Sequence, residues 1–493
     1  MTSLPHRWVL TTLGEVTVPE INQGGPTGIG EFLYVDISSV DNRTKRISSP
    51  KSVLVTEAPT RARQRLTSGD VLVSMTRPNL NAVAIVPQNM DGAIGSTGFH
   101  VLRAAGIDPF WLYYLVQTSD FVTKMSNSVQ GVVYPAVRPK DIEGCEIPLA
   151  ALAEQLRIVA EIEKQFTRLD AGVAALKRVR TDLQRYRASL LRAACEGRLV
   201  PSEAEIARSE GRDYEPAESL VNRILTRASS SEPEADLPFR PSPAPEGWAW
   251  VRFGALLREP LRNGRSAKRT EDPDGVRTLT LTAVTVGDFS ESNTKRTRAK
   301  PEDVEELWLH PGDILIERSN TPDLVGTARL YRGPPNFAIF PDLLIRARVS
   351  TEIEGSFVEA VLRSTYARNY FRRHAQGIAG HMPKINQEVV AGLPIPLPPS
   401  AEQTRIVTEL DRQLSVVGKL EIVVRNGAER AALLRASILK NAFEGRLITP
   451  DWTDEPAAVL LDRILEAKDS ARDTTSARCQ ERDMKPRRRK RGR

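Results

Sequence analysis

Residues 153–159 read AEQLRIV and residues 401–407 read AEQTRIV, six of seven letters returning after 248 positions. A repeat decides how many structural units a chain holds, so its extent comes first. Upstream, IPLAALAEQ (147–155) lies over IPLPPSAEQ (395–403), and downstream ACEGRLVP (194–201) lies over AFEGRLITP (442–450), with the offset of 248 kept through EGRL. PHRWVLTTLGEV (5–16) resembles PEGWAWVRFGAL (245–256), GDVLVSM (69–75) resembles GDILIER (312–318), and EPAESLVNRIL (215–225) resembles EPAAVLLDRIL (455–465). Offsets drift from 240 to 248, which means that loop lengths differ while the framework repeats. Two units follow, about 1–227 and 242–468, joined by the Ser-, Pro- and acid-rich stretch 229–247, which reads as a linker.

The AEQ stretch opens a long helix in each unit. Apolar residues spaced alternately by four and three form a seam: Val159, Ile162, Phe166, Leu169, Val173, Leu176, Leu183 and Leu190, then Val407, Leu410, Leu414, Val417, Val424, Ala431 and Ile438. Proline is absent from 153–195 and 401–443, and Gly197 and Gly445 suit helix ends. Two stripes of equal length predict mutual pairing into rods of roughly 65 Å. A parallel pair would set Arg187 against Arg435. An antiparallel pair brings the acidic starts (Glu154, Glu161, Glu163; Glu402, Glu409, Asp411) near the basic ends (Arg185, Arg187, Arg192; Arg430, Arg435, Lys440), and suits both helix dipoles.

Residues 1–150 and 242–398 carry short strand-like runs such as VLVSM, AVAIV and DILIE, with aromatic helical stretches at 110–117 and 357–371. They predict α+β domains of mixed sheet. The full division is 1–150, first globular domain; 151–200, central spacer helix; 201–241, linker with a short helix; 242–398, second globular domain; 399–447, C-terminal spacer helix; 448–468, short helical follow-on; 469–493, basic disordered tail. An approximate two-fold relates the halves.

The net charge of +7 equals the seven basic residues of the final KPRRRKRGR, so the body is neutral and the charge alone does not imply nucleic-acid binding. The scattered Cys145, Cys195 and Cys479, with no signal peptide or apolar run long enough to cross a bilayer, predict a cytoplasmic chain without membrane attachment. No phosphate loop, HExxH or metal-ligand spacing occurs, and neither catalytic nor metal-binding residues are assigned.

Basic clusters precede the GD(V/I)L strand of each unit: Arg43, Lys45, Arg46, Lys51, Arg61, Arg63 and Arg65 in the first, Arg262, Arg265, Lys268 and Arg269, then Lys295, Arg296, Arg298 and Lys300, in the second. Such residues neutralise phosphates, and Arg or Asn reads base edges; a solvated loop face is the alternative. Arg77, Asn79 and Asn81 in TRPNLN, and Arg318 and Asn320 in ERSNTPD, follow those strands and are the sharper candidates. Tyr134 and Arg138 in one unit, and His381 and Lys384 in the other, fall in equivalent loops and are further DNA-contact candidates.

The duplicated IPL…AEQxRIV, EGRL and EPAxxLxxRIL, with GDVLVSMTRPNLNAVAIV, resemble the specificity subunits of type I restriction–modification enzymes from about residue 5 to 468. The resemblance implies two target-recognition domains that each read one half of a bipartite double-stranded DNA site, with an antiparallel helical spacer between them. It implies no activity or cofactor of the chain's own. Two methyltransferase subunits would bring S-adenosylmethionine, and two endonuclease/translocase subunits ATP and Mg. A surface for those partners is expected from Glu154, Gln155, Arg157, Ile158, Leu191, Glu402, Gln403, Arg405, Ile406 and Leu434. A non-specific architectural coiled-coil scaffold is the competing reading.

Overall fold

The computed structural model describes residues 4–19, 21–129, 135–227, 243–377 and 382–483, with the backbone alone for 471–483. The expected linker up to residue 242, the tail from 484, Tyr134 and His381 lie outside the described residues. The helices are α1 (Pro109–Leu115), α2 (Ser119–Asn127), α3 (Pro139–Glu143), α4 (Leu152–Cys195), α5 (Glu203–Glu210), α6 (Ala217–Arg227), α7 (Gly355–Arg363), α8 (Thr365–His374), α9 (Gln387–Ala391), α10 (Ser400–Phe443) and α11 (Ala457–Asp483).

Two compact units form, one from Met1–Leu176 with Asn426–Arg493 and the other from Lys177–Arg425. They cut across the sequence repeats, because each long helix gives its first half to one unit and its second half to the other. In the first unit the N-terminal strand Val9–Thr12 pairs antiparallel with Glu146–Leu149, the strand that leads into α4. A three-stranded sheet (Phe99–Leu102, Val71–Ser74, Val83–Ile85) and a four-stranded sheet (Lys51–Leu54, Glu31–Val35, Ile94–Ser96, Ala62–Arg65) build the rest, the latter with one parallel pair. In the second unit Ala249–Arg252 pairs with Pro394–Leu397. A four-stranded sheet runs Arg262–Asn263, Leu344–Ala347, Ile314–Glu317, Ala328–Leu330, beside the hairpin Val276–Leu279/Thr294–Thr297. Both units are α+β as expected; the sheet is mixed in the first, while the strand pairs described in the second are antiparallel.

The long helices are antiparallel. Within the first unit Arg435 pairs with Asp170 and stacks over Phe166 at 4.4 Å, and a Cβ on Gly427 would meet Leu176. Within the second, Arg187 meets Glu421 at 3.2 Å and Tyr186 bonds Gln413. Later residues of one helix thus meet earlier residues of the other, and no Arg187–Arg435 opposition arises. Seam residues Ile162, Phe166, Leu183, Leu190, Leu410, Val417 and Ile438 are buried. Each helix stops at a left-handed glycine, Gly197 (φ 66) and Gly445 (φ 67). A Cβ at either would also strike a proline, Pro245 or Pro5.

Three elements differ from the sequence reading. The single helical stretch expected at 357–371 is two helices, because Ser364 caps α8 through the Ala367 N–H and breaks α7 by donating to the Val361 carbonyl. Two helices, α5 and α6, occupy the region read as a linker. The C-terminal follow-on runs to Asp483 rather than 468, in keeping with a stretch free of Gly and Pro. It packs on the first unit's core through Leu460 and Ile464, while α6 packs Leu220 and Ile224 on the second unit's core.

Candidate nucleic-acid interface

The repeated AEQ proves to be a joint. Trp8 Nε1 donates to Glu154 Oε2 at 3.0 Å, and Trp248 Nε1 donates to Glu402 Oε1 at 2.9 Å. Gln155 accepts from the Asp108 N–H at 3.0 Å and donates to the Ala150 carbonyl at 2.8 Å; Gln403 accepts from the Glu354 N–H and donates to the Pro398 carbonyl, both at 2.9 Å. Asp108 and Glu354 are the N-caps of α1 and α7, so each glutamine ties the spacer helix to the start of a domain helix. Arg157 then clamps Asp454, and Arg405 clamps Glu203 at 2.6 Å, fastening the segment that follows each EGRL. Burial pushes the Glu154 and Glu402 carboxyls above the usual carboxylate range. Burial also acts to raise Glu203, but Arg405 and Arg212 bring it net below that range.

This geometry corrects the expected partner surface. Glu154, Gln155, Ile158, Leu191, Glu402, Gln403 and Ile406 are buried inside their own units and offer nothing to a partner. Arg157 and Arg405 are partly exposed but hold internal ion pairs. Leu434 is exposed, as are Val416, Leu420, Ile422, Val423 and Leu433 along the same helix. The tryptophans, Asp454 and Glu203 complete the joint and were not singled out in sequence, although Trp8 and Trp248 recur at matched positions.

In the first unit Arg43, Arg46, Arg61, Arg63, Arg65 and Arg77 are all exposed. Arg61, Arg63 and Arg65 alternate with buried Ala62, Gln64 and Leu66 on the edge strand, as the two-residue period of a strand requires. Among the described residues Arg43, Arg46, Arg61, Arg63, Arg65 and Arg77 form no salt bridge. The TRPNLN loop is held tightly. Arg77 (φ 48) and Asn81 (φ 45) are left-handed at the two ends of a short turn, a costly conformation for residues with side chains. The Arg77 N–H bonds the Pro135 carbonyl at 2.9 Å, and Lys45 Nζ donates to the Asn81 carbonyl. Lys45 is thus a loop anchor whose ammonium burial pushes below its usual value. Arg77 and Asn79 are left exposed on a fixed backbone. Arg138, by contrast, makes two bonds of 2.9 Å to Asp141 and serves α3.

The second unit places the corresponding residues differently. Arg262 pairs with Glu306, Arg265 with Asp303 at 3.2 Å and Arg269 with Glu271 at 3.3 Å. Arg296 donates to the Gly275 carbonyl, while Lys268 and Arg298 are exposed and Lys295 half-buried. Three of these seven residues of the expected basic cluster are therefore paired internally. Ser319 bridges Lys384, just as Thr76 bridges Ala136, so the equivalence of the two loop pairs holds. Lys384 is exposed and Arg318 half-buried. Asn320 donates to the buried Glu317 at 2.6 Å and accepts from the Thr321 N–H, so its amide is spent within the loop.

Among the described residues no group of three or more His, Cys, Asp or Glu converges to hold a metal, and no helix is long and apolar enough to cross a membrane.

No family model matches the chain. It is 23% identical over 480 residues to the type I restriction enzyme EcoKI specificity subunit of Escherichia coli K12, spanning 94% of this chain and 95% of that one. It is 25% identical over 374 residues to the StySPI specificity subunit of Salmonella potsdam, spanning 73% and 71%. A chain from a solved structure concerned with complex assembly and conformational transition of the type I R-M system matches with a TM-score of 0.64 at 26% identity, covering 90% of this chain and 100% of that one. Joint, paired helices and α+β units thus sit in a chain similar to type I restriction enzyme specificity subunits over 94% of its length in one case and 73% in another.

Proposed function

We propose that this chain is the DNA-reading subunit of a type I restriction–modification complex and performs no chemistry itself. Each unit reads one half of a bipartite double-stranded site, and the paired helices set the distance between halves. Methyltransferase subunits carrying S-adenosylmethionine dock on the chain, as do endonuclease/translocase subunits using ATP and Mg. The exposed apolar residues of α10 are the surface such partners would cover. The observation that supports this reading best is the duplicated joint, which fastens two α+β units to two antiparallel helices of 44 residues each. The first unit adds unpaired arginines and the exposed Arg77 and Asn79 on a pinned loop, the side-chain types that contact phosphates and read guanine or adenine.

The test is to map methylated adenines in cells expressing the whole system, with and without this chain. One bipartite motif should lose methylation on deletion and regain it on complementation. An unchanged methylation map would refute the reading. Contact with DNA that shows no sequence preference would favour an architectural scaffold instead.

A further inference from the structure

The second unit contains an open pocket of about 270 Å³ whose wall includes Arg187, Arg329, Arg363 and Arg368 but no acidic residue. Gln184, Thr327 and Thr365 add polar groups, Thr365 being the first residue of α8. The guanidinium groups are poorly matched. Arg329 donates to the carbonyl of its neighbour Ala328 at 3.2 Å and has no carboxylate within salt-bridge reach among the described residues. Arg363 reaches Glu359 only at 3.6 Å, and Glu359 is shared with Arg332 at 3.0 Å. Arg187 meets Glu421, yet its Nε is buried without a partner. Arg368 bonds Thr327 Oγ1 at 2.7 Å and the Leu324 carbonyl. Behind the wall, Glu317 is already engaged by Thr285 and Asn320. Burial, then the Arg363 charge, pushes Arg329 down to about 10, and burial with neighbouring guanidinium groups lowers Arg363 and Arg368 too. Clustered positive charge in a low-dielectric wall, only partly offset by Glu421 and Glu359, favours entry of an anion.

The first unit provides an internal control. Strand register sets Arg329 against Leu315 as Ala84 is set against Leu72, and the N-caps Ser364 and Thr118 align Arg363 with Gln117 and Arg368 with Val122. Only Arg187 has a basic counterpart, Arg435, and that residue is occupied by Asp170 and the Phe166 ring. The matched positions of the first unit thus lack three of the four arginines, and the cluster is particular to the second unit.

We infer that the Arg187–Arg329–Arg363–Arg368 pocket binds a phosphate group. Guanidinium forks match phosphate oxygens, and the volume takes a phosphate with part of what carries it. Two sources share this chemistry, a DNA backbone phosphate and a free phosphate or nucleotide; only the first rests on the DNA-reading role. Calorimetric titration of inorganic phosphate into the full chain should show binding that weakens about tenfold or more in R329M/R363M. Gln184→Glu, at an exposed helix position, should weaken it as well by placing a carboxylate at the pocket without touching the buried arginines. No phosphate binding in the wild-type chain, or binding that survives in both variants, overturns the proposal. In parallel, the salt dependence of binding to double-stranded DNA should flatten by about one unit of slope in R329M/R363M if the phosphate is DNA's. An unchanged slope with lost phosphate affinity identifies the free phosphate or nucleotide. A chain that binds no DNA at all defeats the DNA reading, while the phosphate titration still decides the pocket.

Discussion

Trp248→Phe tests whether the AEQ motif is a joint. Trp248 and Glu402 are both buried, and the indole N–H is one of two donors to that carboxylate, the Glu203 N–H being the other at 2.9 Å. Phenylalanine keeps an aromatic ring near Phe357, whose ring centroid lies 6.2 Å away, but leaves Glu402 Oε1 without its donor. An unsatisfied buried acceptor costs about 1–3 kcal/mol and the smaller ring about 1 kcal/mol more, so a loss of roughly 2–4 kcal/mol is expected. The loss should depend on pH. Glu402 is held above its ordinary range, so its contribution is full below its unfolded value of about 4.3 and is lost as pH rises through the folded value. Removing the indole donor raises the folded value further, making the penalty larger at neutral pH than near pH 5. Hydrogen exchange at the Glu203 amide and urea unfolding of the full chain, at both pH values, measure this. In W248F/E402Q the side chain is neutral and its oxygen still accepts the Glu203 N–H, so the pH dependence should vanish and part of the stability return. A W248F loss under about 0.5 kcal/mol, equal at both pH values, would refute the reasoning. Trp8→Phe is the same experiment in the first unit, where Glu154 is also held high by burial.

Asn79→Ala should relax one half-site, and Arg318→Ala the other, by about 1–3 kcal/mol of discrimination, read from methylation maps; equal loss at both halves would mark these as folding residues. Removing four residues from each long helix takes out about 6 Å of rise and should shorten or abolish the accepted spacer while both half-site sequences persist. An unchanged spacer with full activity would exclude a ruler.

What the sequence conveyed, and what it hid, follows from the range of the interactions. Heptad spacing is local, so the helices were legible; their antiparallel sense was read correctly, although the acids that meet Arg187 and Arg435 are Glu421 and Asp170 and not those of the helix starts. The inward orientation of AEQ was not. Glu and Gln are ordinarily surface residues, and their burial here depends on an indole donor 146 or 154 residues away. Ile158 and Ile406 lie one position off the seam and looked available to a partner, but near its start each helix is packed by its own domain as well as by the other helix, which widens the buried stripe. The two basic clusters looked alike for the same reason. The acids that neutralise the second, Asp303 and Glu306, come about 40 residues later in sequence and meet it only after folding.

The two kinds of error point to one division of labour. Contacts that fasten a unit to its helix occur twice with the same kinds of group: indole to glutamate, glutamine to a helix N-cap, arginine to an acid beyond EGRL. The basic clusters of the two globular domains do not repeat their pairing. Among the described residues the first unit's strand-edge arginines have no carboxylate partner, while the second pairs three of its cluster and gathers guanidinium groups in a pocket instead. A joint must keep its geometry if the helices are to hold the units, whereas a reading surface gains by differing when the two half-sites differ. On that argument the second unit does not merely copy the first unit's grip, and its recognition of DNA should draw on Arg318 and Lys384 rather than on the paired arginines of 262–269.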